Sequence, residues 1–137
     1  MPVAIATFAD VPPQFADDQR LAAALGALGV EVDRVPWDDA GADWAAYDVV
    51  VIRSTWDYVP RRDEFVAWAE SVGSSLHNSA DVVRWNSDKR YLGELATAGI
   101  PAVATTYVGP GDDVPALDGE VVVKPAISAG ARDTGRF

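Results

Sequence analysis

Two short runs constrain this chain more than any other feature: Val3 to Thr7 and Asp48 to Ile52 (DVVVI) are apolar without polar alternation. A strand with one face in water alternates with period two, so uninterrupted runs point to strands buried on both faces, as in parallel sheets covered by helices. Helical segments separate the runs. From Ala16, Asp17 and Asp18 put negative charge in a first helical turn, Leu21, Ala24, Leu25 and Leu28 follow at i, i+3, i+4 and i+7, and Gly29 supplies the stop. Val30, Val32 and Val35 carry a second strand that ends at Pro36. Arg61 to Gly73 form a second amphipathic pattern, with Phe65, Trp68, Ala69 and Val72 on one face, and Ser75 to Asn78 fit a short fourth strand. Strands alternating with helices predict a parallel, doubly wound α/β domain over residues 1–79.

The connections narrow the chemistry. The turn from Phe8 to Gln14 has two prolines and no glycine, which argues against a dinucleotide site, whose first turn needs glycines to admit a pyrophosphate. Trp37 to Ala46 is acidic and contains Trp37 and Trp44, expected to pack over a sheet edge. The third strand delivers Arg53, Ser54, Thr55, Trp56, Asp57 and Tyr58. Ligands of open α/β sheets bind outside the carboxyl ends of the strands, so these six are candidate substrate contacts. Arg53 offers a fork for a carboxylate, Ser54 and Thr55 offer hydroxyls, and Trp56 and Tyr58 offer flat walls. The plainer reading pairs Arg53 with Asp57 or another acid and leaves the aromatics to the core. His77 reads as structural, and Ser79-Ala80-Asp81 starts a brief helical turn carrying Val82, Val83 and Trp85.

Residues 120–137, EVVVKPAISAGARDTGRF, hold the second candidate site. Val121, Val122 and Val123 suit a strand buried on both faces, and Lys124-Pro125 closes it. A lysine at the end of a buried strand needs an anion. Small residues follow (Ala126, Ser128, Ala129, Gly130), with a second glycine at Gly135, so the backbone can approach a ligand and aim its N–H groups at it. Of the 11 cationic side chains only Lys89 and Lys124 are lysines. Lysine places a compact charge on a phosphate without bidentate geometry. Lys89 is expected in the first turn of a helix capped by Asn86 or Ser87, with Tyr91, Leu92, Leu95 and Ala98 as its apolar face and Gly99 as its end. Ala102 to Val108 reads as another extended run, joined by a Gly, Pro and Asp-rich loop to Val121 to Lys124 as a hairpin.

The formal net charge of −10 makes nucleic acid and anionic membranes unexpected partners. Cysteine is absent and His77 is the one histidine, which removes disulfides and thiolate or His-rich zinc sites. With no signal-like N-terminus and no apolar stretch near 18 residues, a cytoplasmic location is expected.

Two segments, DKRYLGELATAGIPAVAT (Asp88 to Thr105) and EVVVKPAISAGARDTGR (Glu120 to Arg136), resemble the ATP-grasp superfamily of ligases. In those ligases one lysine follows an aspartate near a helix ending in Gly-Ile-Pro, and a second ends a strand in Val-Lys-Pro before a small-residue loop over the triphosphate. The runs Val49 to Tyr58 and Val82 to Tyr91 are similar to members grouped with glutathione synthetase, the RimK-like ligases and the cycloserine-forming cyclo-ligase. The resemblance implies a pre-ATP-grasp domain over residues 1–79, and over residues 80–137 the truncated start of an ATP-grasp α+β nucleotide-binding domain. It implies that Lys89 and Lys124 hold ATP phosphates, that Ser128, Ala129 and Gly130 belong to the phosphate loop, and that Arg53 to Tyr58 face the substrate. ATP and Mg²⁺ are the implied cofactors, and a small-molecule carboxylate and amine the implied substrates. Family members run to roughly twice this length. The adenine hinge, the ribose contact and the magnesium ligands are therefore expected beyond this chain, with no metal ligand within it. The polypeptide alone is expected not to be a competent ligase: a fragment, a truncated product or half of a split enzyme, completed by a C-terminal chain or present as a homodimer.

A phospho-receiver or interaction domain is the competing class. Receivers are also acidic and parallel α/β, and place a Lys-Pro pair after their last strand, as Lys124-Pro125 would be. They need an acceptor aspartate at the end of strand three, where this chain has Arg53, and an acidic pair after strand one, where it has Asp10.

Overall fold

Five consecutive buried residues, Val3 to Thr7, make β1 (Pro2–Thr7) an interior strand, as its apolar run requires. In the computed structural model, which describes residues 1–12 and 17–137, β1 belongs to a four-stranded sheet of order β2-β1-β3-β4. Its partners are β2 (Glu31–Pro36), β3 (Val49–Ile52) and β4 (Leu76–His77), and every pairing is parallel. Ala4 and Ala6 join the core cluster on one face of β1, while Val3 and Ile5, pointing the other way, are buried as well. β2 is an edge strand. Val32 and Val35 are half-buried, and Glu31, Asp33 and Arg34 lie in solvent. The parallel α/β architecture expected for this part of the chain is the one observed.

Two compact units divide the chain, Met1–Arg84 and Trp85–Phe137. In the first, α1 (Asp17–Ala27) joins β1 to β2, and α2 (Arg62–Val72), preceded by a 3-10 turn over Trp56–Arg61, joins β3 to β4. The residues expected at the start of the first helix and in the turn before it, from Pro13 to Ala16, lie outside the described residues. The expected face of α1 is only partly covered: Leu21 and Leu25 are half-buried, Ala24 is exposed, and Leu28 lies one residue past the helix. Leu28 is 79% exposed, because the helix ends at Ala27 and Gly29, at φ +77°, turns the chain away.

The core is aromatic. Trp37 is 3% exposed and meets Phe65 edge-on at 5.1 Å, Phe65 stacks on Trp68 at 5.3 Å, and Trp44 closes onto Trp68 at 5.2 Å. Each such pair contributes about 0.5–1.5 kcal/mol beyond its buried area. Trp37 therefore belongs to the core centre rather than to a sheet edge. Arg61 fixes it there: the guanidinium lies 4.7 Å over the indole and pairs with Asp38 at 2.8 Å and Asp57 at 2.6 Å.

The second unit departs furthest from expectation. β5 (Val122–Val123) pairs antiparallel with β6 (Gly135–Arg136), and bonds between Val121 and Phe137 extend the ladder. Val122 and Val123 are 59% and 53% exposed, so the valine run is not a strand buried on both faces. A two-stranded ribbon has no layer to cover it. Residues 102–108 form no strand, and the expected hairpin between them and Val121 to Lys124 is replaced by the β5–β6 pair. Lys89 is not in a helical first turn. Asn86 ends α3 (Ala80–Asn86), α4 runs Tyr91–Thr97, and Asp88 accepts the Arg90 N–H at 3.0 Å in the turn between them. Among the described residues no helix is long and apolar enough to cross a membrane.

Candidate functional site

In the order β2-β1-β3-β4 the chain leaves β1 toward one edge and β3 toward the other, so the topological switch point lies between β1 and β3. Crevices of open α/β sheets form there, outside the carboxyl ends. Backbone bonds tie the two exits together: Arg53 N–H donates to Ala6 O at 3.0 Å and Phe8 N–H to Ser54 O at 2.7 Å. The Thr7 hydroxyl donates to Ser54 O at 3.2 Å. Ser54 and Thr55 are buried at 6% and 4% exposure. Phe8 and Trp56 lie beside them in the chain, with ring centroids 6.0 Å apart.

Arg53 pairs with an acid, and the acid is Asp18 rather than Asp57. Arg53 Nε donates to Asp18 Oδ1 at 3.2 Å; the arginine side chain is 43% exposed and the aspartate 1%. Asp57 is engaged elsewhere: Oδ1 accepts the Trp37 indole N–H at 2.9 Å and Oδ2 takes Arg61. Tyr58 stacks on Phe65 at 5.0 Å as part of the core margin, where burial pushes its phenol up in pKa and nearby Arg62 pulls it back. Of the six residues from the third strand's exit, Arg53 and Trp56 present the most surface. Sequence reasoning missed Thr7, Phe8 and Asp18. A signal for Asp18 exists: Leu21, Ala22 and Leu25 follow at i+3, i+4 and i+7, which places this acid on the apolar stripe of α1.

Lys89, Ala126 and Ser128 meet around one loop in the second unit. Lys89 Nζ donates to Ser128 O and Ser128 Oγ, both at 2.8 Å, and to Ala126 O at 3.5 Å. Its own N–H donates to Ala126 O at 2.9 Å. The ammonium thus organises the loop after Lys124-Pro125. Burial, then repulsion from Lys124, lowers its pKa against a smaller opposite pull from Asp88. Lys124 is exposed at the end of β5. Gly130, Ala131 and Asp133 take φ of +63°, +56° and +54°. Such values are uncommon for non-glycine residues, and left-handed residues are a component of the backbone concavities that bind anions. An open groove of about 560 Å³ lies elsewhere in this unit, lined by Arg90, Gly93, Glu94, Thr97, Ala98 and Tyr107. It includes none of the candidate residues. Among the described residues no three His, Asp or Glu side chains gather as metal ligands.

A four-stranded parallel sheet with an arginine at its switch point, followed by a small unit in which Lys89 bonds to the loop after Lys124, defines an α/β protein. Residues 3–80, more than half the chain, match the family described as "D-cycloserine synthetase DcsG, N-terminal domain", and the chain belongs to that family. It is 34% identical over 140 residues to the cycloserine biosynthesis protein DcsG of Streptomyces lavendulae, a match over 93% of this chain and 44% of the relative. It is similar to the crystal structure of D-cycloserine synthetase DcsG, with a TM-score of 0.85 and 33% identity over 100% of this chain and 50% of that one. The chain therefore spans half or less of the relatives it matches. The receiver reading falls with this assignment and with the fold, since Lys124-Pro125 follows a strand of the antiparallel ribbon, not of the parallel sheet.

Proposed function

We propose that these residues are the first part of an ATP-grasp ligase that activates a carboxylate as an acylphosphate. The γ-phosphoryl group passes from ATP to a substrate carboxylate oxygen, ADP leaves, and an amine then displaces phosphate at the acyl carbon. The observation that carries the reading is the loop after Lys124: a lysine, small residues and left-handed backbone at Gly130, Ala131 and Asp133 suit a polyphosphate. Lys124 supplies an ammonium to phosphate oxygens, Ser128, Ala129 and Gly130 supply backbone N–H groups, and Lys89 holds the loop in shape beside them. In the first unit Arg53 receives a substrate carboxylate. Magnesium would offset phosphate charge in such a transfer.

Titration of the 137-residue chain with tripolyphosphate, followed by backbone amide NMR, tests the phosphate half of this reading without an adenine pocket. Saturable shifts at residues 124–130, lost in Lys124→Gln, are expected. Shifts spread over the surface, or unchanged by that substitution, would refute it.

A further inference from the structure

Packing does not account for the pair of Asp18 and Arg53. A carboxylate held at 1% exposure is costly, and among the described residues Asp18 Oδ2 has no hydrogen-bond partner. Replacing a buried ion pair by apolar residues is often neutral or stabilising, so stability alone is a weak reason to keep one. Here the acid is sealed and the cation is 43% exposed at the switch point. The contact is also one-sided: Asp18 takes the Nε edge of the guanidinium. Among the described residues no acceptor bonds the Nη1/Nη2 edge, whose parallel N–H bonds match a planar carboxylate.

We infer that Asp18 is a positioning residue, gripping Arg53 through Nε so that the Nη1/Nη2 edge faces the crevice and receives a carboxylate monoanion. The formal charges of the pair sum to zero, so directed hydrogen bonds rather than net charge do the binding, which favours a carboxylate over a phosphate dianion. The rigid seat comes from burial, since a sealed Asp18 on α1 cannot follow a swinging arginine. This rests on the reading above that the first unit holds the substrate carboxylate, and the test separates the two.

The test is an arginine side-chain NMR titration of the 137-residue chain with sodium acetate, against sodium chloride at matched ionic strength and against inorganic phosphate. In the wild-type chain acetate should shift the Arg53 Nη signals saturably and leave Nε, which stays on Asp18, in place. Asp18→Asn keeps the shape and loosens the grip. Acetate affinity should then fall about fivefold, the cost of ordering one long side chain, with faster hydrogen exchange at Arg53 Nε. Arg53→Lys, which removes the fork, should abolish saturable acetate binding. If Arg53→Lys binds acetate like the wild type, the substrate reading of Arg53 fails. If Arg53→Lys loses binding and Asp18→Asn does not, Asp18 is not a positioning residue. Should Asp18→Asn fail to fold, the wild-type titration still decides: displacement of the Nε signal by acetate, or a stronger response to phosphate, overturns the inference.

Discussion

Asp57 shows why a residue's neighbours decide its role. It follows Arg53 by four positions and reads as part of a ligand cluster, yet its two oxygens serve the Trp37 indole and Arg61. Asp57→Ala should leave a buried donor unsatisfied and cost about 1–3 kcal/mol in urea unfolding; no loss would show that the clamp does not stabilise the core. Lys89 makes the same point through its charge. Burial, then repulsion from Lys124, makes the folded chain hold the Lys89 proton less tightly than the unfolded chain does. The sign follows: the penalty is fully present below the lowered pKa, and stability rises as pH passes from that value toward the usual lysine range. Side-chain carbon NMR should find Lys89 titrating below ordinary lysines, and Lys124→Gln should move it back up; an unmoved pKa would contradict the proximity of the two. Both lysines stood out in the sequence because every other cation is arginine. That Lys89 bonds to the loop itself was not legible, since three acceptors from residues 126 and 128 converge only in the fold.

Two valine-rich runs of similar look behave differently as elements. Val50 in β3 is fully buried between neighbouring parallel strands, whereas Val122 and Val123 lie in solvent on a two-stranded ribbon. Pattern alone cannot tell them apart, because a run of β-branched residues reports strand propensity and not what will cover the strand. Ile5→Ala in β1 should cost about 2–5 kcal/mol, while Val122→Thr should stay within about 0.5 kcal/mol. Thermal melts of the two variants compare them, and equal losses would contradict the burial described. Helix boundaries were legible where a glycine ends them, as at Gly29, Gly73 and Gly99, which all take positive φ. The start of α4 was not, because the Asp88 side chain bonds the Arg90 N–H and holds Lys89 in a turn.

For the whole molecule, the alternation of apolar runs and amphipathic helices specified the parallel α/β architecture of the first unit, and the resemblance of the two lysine-bearing segments to the ATP-grasp superfamily pointed to ligases. The family match over residues 3–80 and the likeness to D-cycloserine synthetase DcsG agree with that reading at the level of a biosynthetic ligase fold. The central claim is that Lys124 and its loop act on ATP. The most direct measurement is ADP formation by a chimera in which these 137 residues replace the matching part of the Streptomyces lavendulae relative, beside the same chimera carrying Lys124→Ala. ATP turnover by the chimera should fall about 100-fold with the substitution, the usual effect of removing one electrostatic contact to a transition state, at an unchanged melting temperature. Equal turnover by the two folded chimeras would contradict it.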